Sequence, residues 1–286
     1  LQGPMTGSDT PQLAAAVSQA GGLGFLGCGM RSPQAMADAA AAVRAATGKP
    51  FGMNLFVLET PNPADAEVAA AMERLAPLYA EFGLKPERPA GWCEDFAAQL
   101  EALIAARPAV ASFTFGILSA AQVRRLKSEA DSLVIGTATT VAEALAWQQV
   151  GADAVVASGM EAGGHRGTFL GDWEGSLIGT LALVPACVDA LKIPVIAAGG
   201  IMDGRGIAAA QALGAQAVQM GTAFLACPES AITAAQRAAM AGAQATDTRL
   251  TRIFSGRPAR GILNDAMRAL APHEAEIPAY PIQNAL

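Results

Sequence analysis

The chain has 286 residues, of which 52% are hydrophobic and only 15% charged, so it carries ample apolar surface for a sizeable core and is not a disordered sequence. Its formal net charge of -6, with no cluster of Lys and Arg interleaved with aromatics, argues against nucleic acid and against an anionic membrane as partners. Four cysteines without close pairing (Cys28, Cys93, Cys187, Cys227) and two histidines indicate neither a disulfide framework nor a zinc site.

Isolated buried thiols in a reducing cytoplasm are the expectation. No run of about 18 apolar residues appears and no charged segment precedes an apolar one near Leu1, so a cytoplasmic, soluble protein is expected. The chain opens Leu1-Gln2-Gly3-Pro4 without an initiator methionine, which suggests that a few native residues precede it. The length suits one barrel of about 250 residues or two ordinary domains.

Taken in order, Gly3-Pro4-Met5 is expected at the mouth of a first strand. Asp9 or Thr10 with Pro11 reads as a cap and first turn of a helix over Leu13 to Ala20, stopped by Gly21-Gly22. Leu23 to Cys28 is a second strand, and Ser32-Pro33 opens a helix to about Ala46. Phe51 to Phe56 is the third, with Asn54 a polar residue in a buried pattern, bonded either to protein or to a ligand. Regularity lapses over residues 59–107, where Pro61, Pro63, Pro77, Pro86 and Pro89 interrupt helical stretches. This predicts an enlarged excursion covering one end of the fold rather than a second domain.

Repetition resumes with Ala111 to Phe115 and a helix from Ser119 to Glu129, then Leu133 to Ile135 and a helix from Thr140 to Val150. Ala154 to Ala157 is the sixth strand. Ile193 to Ala198 ends at Gly199-Gly200, with a helix from Asp203 to about Leu213, and Ala217 to Met220 ends at Gly221-Thr222. Eight strand-like runs, each followed by a helical one, predict a closed parallel α/β barrel, the (β/α)8 TIM barrel, as a single domain with a C-terminal extension over about 230–286. A doubly wound sheet is disfavoured because no G-x-G-x-x-G follows the first strand.

The loop after the sixth strand, Ser158-Gly159-Met160-Glu161-Ala162-Gly163-Gly164-His165-Arg166-Gly167, lies where such barrels carry their chemistry. Its glycines allow close approach to a flat or anionic ligand, and His165 is a proton donor or acceptor near neutral pH. The paired strand ends Gly199-Gly200 and Gly221-Thr222 read either as ordinary left-handed turns or as a phosphate site built from loop amides. A cofactor with a phosphate tail and a reactive ring near His165 satisfies both features.

The sequence resembles the nitronate monooxygenase family, formerly the 2-nitropropane dioxygenases. The resemblance rests on Gly3-Pro4-Met5-Thr6-Gly7, Gly52-Met53-Asn54-Leu55, Glu161 to Gly167, Ala197-Ala198-Gly199-Gly200-Ile201, Gln219-Met220-Gly221-Thr222 and Phe254-Ser255-Gly256-Arg257-Pro258-Ala259-Arg260-Gly261, in the family's order. It implies an FMN-dependent barrel enzyme oxidising small nitronates with O2. It implies FMN contacts from Gly3, Pro4, Met5, Asn54, Ser158, Gly163, Gly164, Gly199, Gly200, Gln219, Met220, Gly221 and Thr222, with His165 at the reactive edge as the base for neutral nitroalkanes. As a cation, the same ring would favour an anionic nitronate. Departures are Ser158 in place of a common glutamine, a chain stopping at Pro281 to Leu286 where many relatives continue, and no recognisable motif over 59–107.

Other residues carry plainer readings. His273 is expected on a solvated loop, Glu161 as a clamp on backbone amides, and Phe113, Phe115 and Met220 as barrel packing. Arg257 and Arg260 either contact phosphate or substrate or pin the tail by ion pairs. Functional alternatives are an NAD(P)H:quinone or enoyl-thioester reductase on the same scaffold, and a flavin-free barrel binding a phosphorylated metabolite. Oligomeric state is left open.

Overall fold

Short apolar runs form the strands, and most stop where the backbone must turn. In the computed structural model, which describes residues 1–286, these are β1 (Gly24–Gly27), β2 (Phe51–Phe56), β3 (Val110–Thr114), β4 (Leu133–Ala138), β5 (Ala154–Ser158), β6 (Gly164–His165), β7 (Val195–Ala198), β8 (Ala217–Gln219), β9 (Thr248–Thr251) and β10 (Ala259–Ile262). Seven of them make one parallel sheet in the order β1-β2-β3-β4-β5-β7-β8. The architecture is that of an α/β TIM barrel.

The eighth position is filled by residues 1–3, and Gly3-Pro4-Met5 stands at the mouth of this first strand. Gln2 forms a single parallel bridge with Met220, its N–H donates to the Leu23 carbonyl (2.9 Å), and the Gly3 N–H donates to the Met220 carbonyl (2.7 Å). The fully buried Gln2 side chain continues the seam, accepting from the Phe25 N–H at 3.1 Å and donating to its carbonyl at 3.0 Å. The strand stops there for a physical reason: Pro4 has no N–H, and the Met5 N–H turns to the Asp9 carboxylate at 2.7 Å.

Local capping chemistry sets the surrounding helices. Thr10, Ser32, Ser119 and Thr140 each accept an amide in the first turn of helices Pro11–Gln19, Pro33–Ala46, Ala120–Ala130 and Val141–Gln149, and Asp203 does so for Gly204–Ala212. The main core fills the space between these helices and the sheet, with Trp147, Phe113, Leu103, Leu126 and Leu183 fully enclosed.

Within the excursion, the helix Phe96–Ala106 is capped by Asp95 and packs against Pro33–Ala46 and β2, as a barrel helix does. The irregular part is therefore residues 57–95, which hold the helix Asp65–Ala80. That helix shares a separate small core with the C-terminal segment, where Leu75 meets Ile253, Met267 and Leu270, and Arg74 pairs with Glu276 at 2.9 Å. All four cysteines are free, but only Cys28 and Cys187 are buried, while Cys93 and Cys227 are partly exposed. No helix is long and apolar enough to cross a membrane.

Candidate active site

His165 is held by two strands that the barrel does not use. β6 pairs antiparallel with β10, placing His165 opposite Ala259 and Gly164 opposite Arg260, and the Arg166 N–H donates to the Pro258 carbonyl at 2.8 Å. The loop after β5 is thus stitched to the C-terminal segment. Its root is fixed by Arg166, almost fully buried, which donates to the carbonyls of Ser158 (3.1 Å), Gly159 (2.6 Å) and Ser176 (2.9 Å).

One ring nitrogen of His165, Nε2, lies 2.7 Å from Ser255 Oγ, while Nδ1 bonds nothing in the chain. The ring meets Phe115 edge-on at 5.5 Å and Tyr280 at 5.7 Å, and these two meet each other at 5.4 Å. Phe56 stacks on Phe115 at 4.3 Å, and the Arg257 guanidinium lies 4.1 Å over the same ring, so the two occupy its opposite faces. Phe115 adopts a left-handed backbone (φ 77°), a strained conformation for an aromatic residue of the kind that collects at functional sites. Burial, with the neighbouring Arg257 charge second, lowers the His165 pKa to about 4, so the imidazole is neutral at pH 7.

Both later arginines pin the histidine loop, through backbone carbonyls and not through ion pairs. Arg257 donates from Nε to the Arg166 carbonyl at 2.9 Å and from Nη2 to the Thr168 carbonyl. Arg260 grips the Met160 carbonyl from Nε and Nη2 at 3.2 and 3.1 Å. Glu161 is the clamp that was expected, accepting from the Thr180 N–H (2.9 Å) and hydroxyl (2.9 Å). His273 is exposed and sits 3.3 Å from Glu276.

The remaining sequence-derived positions gather at the C-terminal ends of the strands. A methyl group added to Gly3 would come within 3.3 Å of Gly221 Cα, one on Gly163 within 2.8 Å of Thr222 Oγ1, and one on Gly199 within 3.1 Å of the Ala162 nitrogen. Gly199 and Gly200 take positive φ (109° and 71°). The amides of Gly163, Gly199, Gly200 and Gly221 find no acceptor in the chain. Four unpaired donors at one rim, with glycine leaving the backbone bare, suit an anion's oxygens.

Asn54 is anchored rather than free, donating from Nδ2 to Ser112 Oγ at 2.9 Å and Thr114 Oγ1 at 3.3 Å, with its side-chain Oδ1 unbonded. The hydroxyl of Ser158 and the side chain of Gln219 bond nothing in the chain, and Pro4 and Met5 follow Gly3 along the rim. Phe113 and Met220 pack the barrel, Phe113 against Trp147.

Sequence reasoning missed the roles of Ser255, Phe115, Tyr280 and Asp9: Phe115 was read only as packing but meets His165, and the helix cap is Thr10 and not Asp9. Asp9 is a buried carboxylate that accepts from the Met5 and Gly27 amides (2.7 and 2.8 Å) and from Arg31 (3.2 Å), which fixes the turn after Gly3. One signal was present in Ser255-Gly256-Arg257. Gly256 (φ 82°) has the carbonyl of Pro278 where a methyl group would be, 2.1 Å from that position, and so marks where a second segment crosses.

A parallel barrel with a neutral imidazole in an aromatic enclosure, beside unpaired amides at its C-terminal rim, defines a (β/α)8-barrel enzyme with its chemistry at that rim. Residues 1–286 match the nitronate monooxygenase family model. A probable nitronate monooxygenase of Staphylococcus aureus (strain MSSA476) is 43% identical over 288 residues, covering all of this chain and 81% of the relative, and one of Staphylococcus haemolyticus (strain JCSC1435) is 43% identical over 289. Among solved structures, nitroalkane oxidase from Streptomyces ansochromogenes superimposes with TM-score 0.91 at 42% identity, covering 100% of this chain and 82% of that one. FabK from Thermotoga maritima gives TM-score 0.75 at 34% identity, covering 99% of this chain and 76% of that one. The chain belongs to the nitronate monooxygenase family and is an oxidoreductase.

Proposed function

We propose that the protein is an FMN-dependent nitronate monooxygenase, converting alkyl nitronates such as propionate 3-nitronate, with O2, to carbonyl compounds and nitrite. The observation that carries this reading is the open Nδ1 of His165 inside an aromatic enclosure that also adjoins unpaired glycine amides. FMN fits those residues: the unpaired amides of Gly163, Gly199, Gly200 and Gly221 would hold its phosphate, and Gly164 and Thr222 adjoin them in the chain. Gly3, Pro4 and Met5, together with Asn54, Ser158, Gln219 and Met220, would line the remainder. When bound, the flavin supplies the electron-accepting chemistry by which the nitronate and oxygen react.

The chain's own residues handle the proton. Ser255 Oγ lies 3.2 Å from the Arg257 carbonyl, to which its hydroxyl can donate, and it then accepts from His165 Nε2–H. That tautomer leaves the Nδ1 lone pair free to take the carbon-bound proton of a neutral nitroalkane. Phe56, Phe115 and Tyr280 line the same space with apolar ring surface. Burial lowers the His165 pKa to about 4 and so disfavours the imidazolium form that would attract an anionic nitronate. The free cysteines and the lack of a membrane-crossing helix fit a cytoplasmic enzyme.

The test is steady-state turnover of a nitronate panel under oxygen with nitrite measured. Nitrite release by a yellow preparation supports the reading, and a colourless protein that takes up no FMN defeats it. A second reading, an NAD(P)H-dependent reductase on the same scaffold, differs in what reduces the flavin. Rapid anaerobic bleaching of the bound flavin by NADH or NADPH would select it over the monooxygenase.

A further inference from the structure

Arg257 carries a charge that no carboxylate of the chain contacts. Its Nε and Nη2 are spent on the Arg166 and Thr168 carbonyls, but Nη1 bonds nothing and is not sealed from solvent. No carboxylate reaches it. Glu143, the acid whose field acts on it, spends its oxygens on the amides of Thr139, Phe169 and Leu170 and on the Thr139 hydroxyl. Burial lowers the guanidinium pKa to about 10, which still leaves it protonated at neutral pH. A partly buried cation with no carboxylate in contact is costly, and an anion meeting it directly lowers the cost.

The position of this charge is specific. The guanidinium lies on Phe115, the ring that both His165 and Tyr280 meet edge-on, and its field reaches both of them. Tyr280 brings a phenol whose hydroxyl bonds nothing in the chain, and burial together with the neighbouring Cys93 keeps it protonated, with its pKa at about 12. Two unpaired donors, one charged and one neutral, thus belong to side chains that pack with His165 around the Phe115 ring.

We propose that Arg257 Nη1 and Tyr280 Oη form the receptor for the two oxygens of a nitronate or nitro group, and that Arg257 is the residue selecting the anionic substrate. This rests on the reading of His165 and the flavin given above. It follows that Arg257 acts differently on the two substrate forms. A nitronate brings its charge on arrival, so the guanidinium contributes to binding. A neutral nitroalkane gains charge only as its carbon-bound proton passes to His165 Nδ1, so there the guanidinium contributes to the rate. The same encounter relieves the repulsion that disfavours imidazolium, since the new anion offsets the Arg257 charge as the proton arrives.

The experiment compares Arg257→Gln, Arg257→Lys and Tyr280→Phe with the native holoenzyme, using ethyl nitronate and nitroethane as substrates and nitrate, a planar anion of similar shape, as a probe. For Arg257→Gln the expected result is a KM for ethyl nitronate raised about tenfold or more, and for nitroethane a lowered kcat with KM little changed. Nitrate should compete with ethyl nitronate in the native enzyme. Its affinity by calorimetry should fall about tenfold in Arg257→Gln and less in Arg257→Lys and Tyr280→Phe. Nitrate bound equally by native protein and Arg257→Gln, or no competition in the native enzyme, overturns the proposal. If Arg257→Gln does not fold, the native competition and Arg257→Lys decide it. Calorimetry needs no turnover, so a protein that binds nitrate through Arg257 yet oxidises no nitronate would fail the functional reading while the anion receptor stands.

Discussion

His165 Nε2 and Ser255 Oγ, ninety positions apart in the chain, lie 2.7 Å apart across the seam between β6 and the C-terminal segment. The contact assigns the two ring nitrogens different duties, one held and one free. Replacing Ser255 with Ala removes the partner of Nε2 and releases the tautomer. A single such hydrogen bond is worth about 1 kcal/mol, so kcat for nitroethane should fall about fivefold to tenfold while flavin content stays unchanged. Steady-state kinetics beside the visible spectrum checks it, and an unchanged kcat would refute the positioning role.

His165→Asn keeps a polar side chain of similar reach but no basic nitrogen. Flavin should remain bound, and turnover of neutral nitroalkanes should fall by roughly 10²–10⁴-fold. Preformed nitronates need no proton removed and should lose far less. Equal losses on both substrate forms would mean that the imidazole serves binding and not proton transfer.

The pH profile follows from the lowered pKa of that ring. An ordinary histidine loses its basic form below about 6.5, whereas His165 keeps it down to about 4. A lowered pKa preserves the neutral base as pH falls. The kcat/KM for a neutral nitroalkane should therefore show no descending limb between pH 7 and pH 5. Rates measured over that interval with the flavin spectrum followed in parallel decide the matter, and a midpoint near 6.5 would contradict the assignment.

Gly199 takes φ 109°, a backbone that side chains rarely adopt, and an added methyl group would crowd Thr180 Oγ1 at 2.9 Å. Gly199→Ala should cost about 1–3 kcal/mol of stability and turn the amides of Gly199 and Gly200 away from the rim. FMN affinity, read by fluorescence quenching, should drop more than tenfold. Native affinity in the variant would show that those amides hold no phosphate.

Asp9→Ala leaves the Met5 and Gly27 amides and the Arg31 guanidinium without their common partner. Loss of about 2–4 kcal/mol in thermal or denaturant unfolding is expected, accompanied by weaker flavin binding through the displaced turn after Gly3. A stability loss with flavin affinity intact would separate the turn from the cofactor.

Much of the barrel was legible because its signals are local. Runs such as Val195–Ala198 before Gly199-Gly200, and caps such as Ser119 and Asp203, depend on neighbours a few residues away. The first strand was legible only at its mouth because its limits are tertiary: the Met5 amide leaves the sheet for Asp9, and the buried amide of Gln2 replaces part of a ladder. The site divided in the same way. His165, the rim glycines and Asn54 stood out by residue type, whereas Phe115 passed as packing because nothing in Ser112-Phe113-Thr114-Phe115 marks which ring turns toward the histidine. Ser255 and Tyr280 reach His165 only through the crossing of distant segments. Gly256 was visible, but the chain it makes room for was not.

That crossing bears on how such an enzyme changes its diet. The stretch Pro278 to Tyr280 runs over Gly256 with no allowance for even one added carbon, so the backbone under residue 280 and the backbone under Ser255 are locked as one piece. A new side chain at 280 alters what is admitted beside the imidazole, while the hydroxyl that aims it stays where it was. The chain can broaden or narrow its range of fuels by single replacements without having to rebuild the tool that works on them.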